Sequence, residues 1–111
     1  MATLSSHLLN SVNGTHASGV NILINQINTS GDKKIFYEAK TDESGRILKE
    51  FELSNEDCAC DYEMVCKTAD YFSEKNIVTE IIVKFKMEDP KKKYHLPIII
   101  SPNGYTIWWS K

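Results

Sequence analysis

Three polar residues of the 111-residue chain stand at places a strand-rich sequence rarely gives to chemistry: His7, Arg46 and His95. Histidine has a free pKa of ~6.5, so it can take or give a proton near neutral pH. Arginine is a fixed cation with a planar fork of donors, suited to an oxygen-rich edge or a developing oxyanion. Together they could activate water and hold the charge that forms. Singly, each has a plainer reading. A strand histidine is ordinarily packed or hydrogen-bonded, and a strand-end arginine is ordinarily solvated. Spacing alone therefore gives a small β-sandwich without an assigned reaction.

The elements that must position these residues are short apolar runs of period two separated by turn residues. Strands are expected over Leu4–Asn10, Val20–Ile27, Lys34–Lys40, Arg46–Leu53, Asp61–Thr68, Ile77–Met87, Tyr94–Ser101 and Gly104–Ser110. Asn13-Gly14, Thr29–Asp32, Thr41–Gly45, Ser54–Asp57 and Ser101–Gly104 are the turns between them. Ala69–Lys75 breaks the alternation, with Ala69, Phe72 and Lys75 spaced three apart, which predicts one or two helical turns there. The expectation is all-β: a two-sheet antiparallel β-sandwich of about eight strands with one short helix, a single domain over residues 1–111.

The alternation also assigns faces. Leu4 and Leu8 face inward, which turns Ser5, His7 and Leu9 outward. Tyr94, Leu96, Ile98 and Ile100 face the core, so His95, Pro97 and Ile99 lie on the opposite side. A strand apolar on both faces is covered on both. Tyr105, Ile107 and Trp109 on one side of the last strand, with Trp108 on the other, say the same. An oligomer is expected.

Composition narrows the class. Hydrophobic residues make up 41% and charged residues 25%, as in ordinary globular proteins. The net charge of −2 gives no basic footprint for nucleic acid or an anionic membrane, and Lys91–Lys93 reads as a solvated turn. No run approaches the ~20 apolar residues of a membrane helix. The opening residues lack a basic and apolar leader pattern, so a cytoplasmic protein is the expectation. Three cysteines, Cys58, Cys60 and Cys66, are an odd set for a disulfide framework. Cys58-Ala-Cys60 has no nearby histidine to complete a zinc set, so free thiols and no metal are expected.

Longer motifs carry a resemblance. His7-Leu-Leu-Asn10, then Asn13-Gly14 and Ala17-Ser-Gly-Val20, is similar to the opening of the 5-hydroxyisourate hydrolases of the transthyretin-related family. Thr41-Asp-Glu-Ser-Gly-Arg46 resembles their Thr-x-x-x-Gly-Arg turn. Tyr94-His-Leu-Pro97, leading to Ser101-Pro-Asn-Gly-Tyr105, is similar to their C-terminal signature, and Asp70-Tyr71-Phe72 fits a recurrent tripeptide. The resemblance spans nearly the whole chain.

It implies a sandwich whose first, fourth, seventh and eighth strands share a sheet, bringing His7, Arg46 and His95 together. It implies hydrolysis of 5-hydroxyisourate, without metal or organic cofactor, in a homotetramer with sites at the dimer–dimer interface. Transthyretin, the hormone carrier of the same fold, lacks this triad. The hydrolases end in Tyr-Arg-Gly-Ser, whereas this chain ends Trp108-Trp109-Ser110-Lys111. Trp108 stands where the tyrosine would be, Trp109 replaces the arginine, and Ser110 comes one residue early for the serine. Trp108 and Ser110 are the implied substrate contacts, although an indole brings neither a phenol hydroxyl nor a guanidinium. The altered tail also suits a non-enzymatic transthyretin-like small-ligand binding protein. A structural sandwich module of a larger assembly is a further alternative.

Overall fold

Alternation in the first strand becomes alternation of burial. In the computed structural model, which describes residues 1–73 and 76–111, β1 (Ala2–Asn10) is buried at every even position and half-buried at every odd one. The buried polar members are satisfied, since Ser6 Oγ donates to the Leu96 carbonyl at 2.6 Å and Asn10 Nδ2 to the Tyr71 hydroxyl at 3.3 Å.

Two sheets follow. In the first, β1 lies between β5 (Arg46–Phe51) and β8 (Lys93–Ser101), and β9 (Gly104–Ile107) closes the far edge of β8. A two-residue strand, β2 (Thr15–His16), pairs with Leu9 and Asn10 of β1. β5 takes the same edge over Ala2–His7. The second sheet runs β4 (Lys33–Lys40), β3 (Asn21–Ile27), β6 (Asp61–Lys67), β7 (Ile81–Lys86). Every pairing is antiparallel except β1 with β8, which is parallel.

Leu4, Leu8, Ile98 and Ile100 of the first sheet share one buried cluster with Ile24, Tyr62, Met64 and Ile81 of the second. The strands expected to share a sheet do so, and Tyr94, Leu96, Ile98 and Ile100 face the core.

Several local outcomes differ from expectation, the added two-residue β2 among them. The α-helix, α1 (Asn55–Ala59), forms in the segment expected to be a turn. A reciprocal cap explains it: Ser54 Oγ accepts from the Asp57 amide at 3.1 Å, and the Asp57 carboxylate accepts from the Ser54 amide at 3.0 Å. The helical turns expected over Ala69–Lys75 reduce to a 3-10 turn at Thr68–Asp70; Glu74 and Lys75 lie outside the described residues. The strand expected from Ile77 starts at Ile81, because the Ile77 and Val78 amides both donate to the Pro102 carbonyl instead of extending the ladder.

Candidate active site

Strand register decides what meets on the outer face of the first sheet. His7 is directly opposite Arg46 of β5, and Ser5 is directly opposite His95 of β8. Side chains of directly opposed residues leave the sheet on the same side. All three sequence-predicted residues therefore share one face, with His95 one position diagonal from His7.

The Thr41–Arg46 turn brings the arginine in. Thr41 Oγ1 accepts from the Val20 amide and donates to the Ala17 carbonyl, anchoring the turn. The Asp42 carboxylate accepts from the Ser44 and Arg46 amides at 2.9 and 3.0 Å. Gly45 has φ +72°, and a Cβ built on it would lie 2.5 Å from the Leu8 carbonyl oxygen and 3.3 Å from the His16 Cβ. Glycine is required there by conformation and by space. Its carbonyl accepts from the Leu8 amide at 2.8 Å, at the joint on β1 where β5 ends and β2 begins.

The histidines have built partners. Ser5 Oγ and His95 Nδ1 are 2.8 Å apart. His7 Nε2 lies 2.9 Å from Nδ1 of a second imidazole, His16, with ring centroids 5.0 Å apart. Burial above all, then the Arg46, His16 and His95 charges, hold the His7 imidazole below the usual histidine range, while a hydrogen bond to the Ser44 backbone acts the other way. His7 is thereby favoured in the neutral form that can accept a proton.

The tail divides. The Trp108 amide donates to the Pro97 carbonyl at 3.4 Å and the Ser110 amide to the His95 carbonyl at 2.9 Å. These bonds place Trp108 and Ser110 beside Pro97 and His95 on the histidine face. Pro97 has no N–H to return to the Trp108 carbonyl, so the β9 ladder ends at Ile107 and resumes only as the His95–Ser110 bridge. Trp109 turns the other way. Its ring stacks on Tyr94 at 6.1 Å, with the Lys92 and Lys111 ammonium groups 5.0 and 5.2 Å from it.

Two residues of this face were not singled out from sequence. His16 follows the Asn13-Gly14 turn and reads as loop; its signal is that only three histidines exist. Ser5 was placed on the outward face, but its bond to His95 depends on the β1–β8 register.

In the single chain the face is open. The cavities of about 530 and 350 Å³ lie elsewhere, the first beside Gln26, Asp57 and Cys60, the second beside Phe85, Tyr94 and Trp109. Leu48 and Trp108, at 66% and 45% exposure, flank the polar set, and Leu9 and Ile99 are half-buried. The cysteines are free. Cys60 Sγ donates to the Glu56 carbonyl, and burial pushes the Cys66 thiol up to about 12. Among the described residues, no three His, Cys, Asp or Glu side chains gather as a metal set, and no helix is long and apolar enough to cross a membrane.

Chemically, then, the face offers two imidazoles held by partners, a guanidinium beside one of them, and an indole at the edge. Known proteins align with the whole of this frame. The chain is 28% identical over 112 residues to the 5-hydroxyisourate hydrolase of Halalkalibacterium halodurans, covering 95% of this chain and 94% of that one. It is 33% identical over 110 residues to that of Salmonella typhimurium, covering 95% of this chain and 78% of the relative. In solved structures, sea bream transthyretin in complex with thyroxine superposes with a TM-score of 0.84 at 23% identity, over 96% of this chain and 93% of that one, so the fold is shared with that protein. The family model described as "HIUase/Transthyretin family" matches residues 4–109, taking in His7, the Gly45-Arg46 turn, His95 and both tryptophans of the tail, and the chain belongs to that family.

Proposed function

We propose that the chain hydrolyses 5-hydroxyisourate to 2-oxo-4-hydroxy-4-carboxy-5-ureidoimidazoline, a step of urate degradation, with His7, Arg46 and His95 as its catalytic residues. The observation that carries this reading is the shared face: three distant segments deliver two imidazoles and a guanidinium to adjacent positions. The hydrolase names of the relatives, one of them 33% identical, support it.

The reaction breaks a ring C–N bond. A water between the two histidines loses a proton to one ring and attacks the ring carbonyl. Arg46 meets the oxyanion with its fork of donors, where a fixed cation stabilises developing charge. Collapse of the adduct breaks the C–N bond, and the departing nitrogen takes a proton from the imidazolium or from the second histidine. The hydroxyl becomes part of the new carboxylate. The imidazoles exchange the protons, so no metal or organic cofactor enters the scheme. Trp108 stacks on the planar ring and Ser110 contacts its edge.

The open face needs a cover. We assign this to a homotetramer with sites at the dimer–dimer interface, supported by exposed Leu48 and Trp108 around the polar set. The single domain spans residues 1–111, and free cysteines suit a reducing, cytoplasmic location.

The Trp108-Trp109 tail favours a second reading, a non-enzymatic binding protein of the same fold. One experiment separates them: loss of absorbance of freshly generated 5-hydroxyisourate with and without the chain. Acceleration over spontaneous decay supports the hydrolase, and an unchanged decay overturns it.

A further inference from the structure

The hydrolytic scheme leaves His16 without a role, yet His16 is the residue bonded to His7. We propose that His16 is a positioning residue of the site, which sets the tautomer of His7 and thereby which of its nitrogens is free to accept a proton. This rests on the hydrolase reading above.

The placement is built from several sides. Asn13 Oδ1 accepts from the Thr15 amide and hydroxyl at 3.0 and 2.6 Å, shaping the turn into β2. Leu9 and Asn10 pair with His16 and Thr15, and the Ala17 amide donates to the Leu8 carbonyl at 2.9 Å. Gly45 packs its backbone against the His16 Cβ on the remaining side. The histidine backbone is thus pinned, and its ring reaches His7 at 2.9 Å.

Two nitrogens that close share one proton, so one ring donates and the other accepts. The neutral His7 ring has one N–H. With that proton on Nε2, it is donated to His16 Nδ1 and the Nδ1 lone pair of His7 is left to accept a proton; with it on Nδ1, the Nε2 lone pair is taken by His16 Nδ1–H. Only the first arrangement leaves a free base, so His16 acting as acceptor holds His7 in its proton-accepting form.

The charged and titratable groups facing His7 are Arg46 from β5, His16 from β2 and His95 from β8. The Asp42 carboxylate of the adjoining turn is engaged by the Ser44 and Arg46 amides. Every side-chain charge acting on His7 thus opposes its protonation.

The test uses the full chain and the variants His16→Ala and His16→Asn. Asparagine puts an amide near the Nδ1 position but does not titrate. Two measurements are made on each: long-range proton–nitrogen spectra of the histidine rings, and the pH profile of kcat/KM on 5-hydroxyisourate. In His16→Ala the acidic limb is expected to move up by roughly half a pH unit, the Coulomb effect of one unit charge at about 5 Å in a watery medium. The His7 nitrogen shifts should change with it. His16→Asn should restore the His7 tautomer and kcat but not the position of the limb. Unchanged His7 shifts and an unmoved limb in His16→Ala overturn the proposal while leaving the hydrolase reading intact. If the wild type fails to accelerate decay, the hydrolase reading falls alone, and the ring spectra still decide the tautomer claim.

Discussion

Gly45 and Leu8 are in backbone contact that admits no side chain: the Gly45 carbonyl accepts from the Leu8 amide at 2.8 Å, and a Cβ on Gly45 would sit 2.5 Å from the Leu8 oxygen. This contact seats the Arg46 turn against β1 between His7 and His16. Gly45→Ala must place a side chain at φ +72° and also push backbone apart. We expect a loss of roughly 3 kcal/mol from the two effects together, read as a lower denaturant midpoint, with activity falling further than stability. A midpoint matching wild type would show that the turn is not held this way.

Arg46→Ala and His95→Ala remove side chains from a half-open face rather than from the core. Both should fold normally and lose about 100-fold or more in kcat/KM, the range for losing a general acid–base or an oxyanion donor. Arg46→Lys should recover little, since an ammonium lacks the fork. Steady-state rates and circular dichroism check this, and full turnover in either alanine variant removes that residue from the mechanism.

How much of this was legible in the chain depends on range. The face of His7 followed from its neighbours, because burying Leu4 and Leu8 leaves an odd position outside. His95 followed likewise from Tyr94 and Leu96. Their adjacency did not, since it depends on β8 lying parallel to β1, a pairing closed over most of the chain. The resemblance supplied that neighbourhood. His16 was illegible because a histidine two residues past Asn-Gly carries no period. Helix α1 was hidden by its brevity: five residues are too few for a helical repeat, and only the Ser54–Asp57 cap marks it.

The pH response of His7 has a definite sign. Its folded pKa is lowered, so the folded chain binds fewer protons at this site than the unfolded chain does just below the usual value. The stability it contributes is fully present above ~6.5 and is lost as pH falls through the lowered folded value. Activity that needs neutral His7 should persist below pH ~6.5 on the same grounds. Denaturation at several pH values, compared with His7→Asn, should show a shallower acid decline in the variant. Identical declines would mean that His7 titrates normally.

Ser5 holds His95 at 2.8 Å through Nδ1. Ser5→Ala leaves the ring in place but frees its rotation and its tautomer. Turnover should drop about 10-fold, less than on losing the imidazole itself, and the His95 nitrogen shifts should move. Ser5→Thr keeps the hydroxyl and should restore both. A normal rate in Ser5→Ala would show that the bond does not orient the ring.

Adjacent tryptophans at the tail should behave as unlike residues, because successive side chains of an extended segment leave on opposite sides, Trp108 beside Pro97 and Trp109 against Tyr94. Trp108, 45% exposed beside Pro97, makes no aromatic stack or cation–π contact among the described residues. Trp108→Ala should raise KM or weaken assembly, and leave the thermal midpoint of the protomer nearly unchanged. Trp109 stacks on Tyr94 between two ammonium groups. Its loss should lower stability by about 1–2 kcal/mol, from one aromatic pair and partly exposed cation–π contacts, with KM little altered. Thermal melts, light scattering and steady-state kinetics on both variants separate the two roles. The opposite pattern, a destabilised Trp108→Ala and a Trp109→Ala defective only in KM, would mean that the tail enters the site with the other indole.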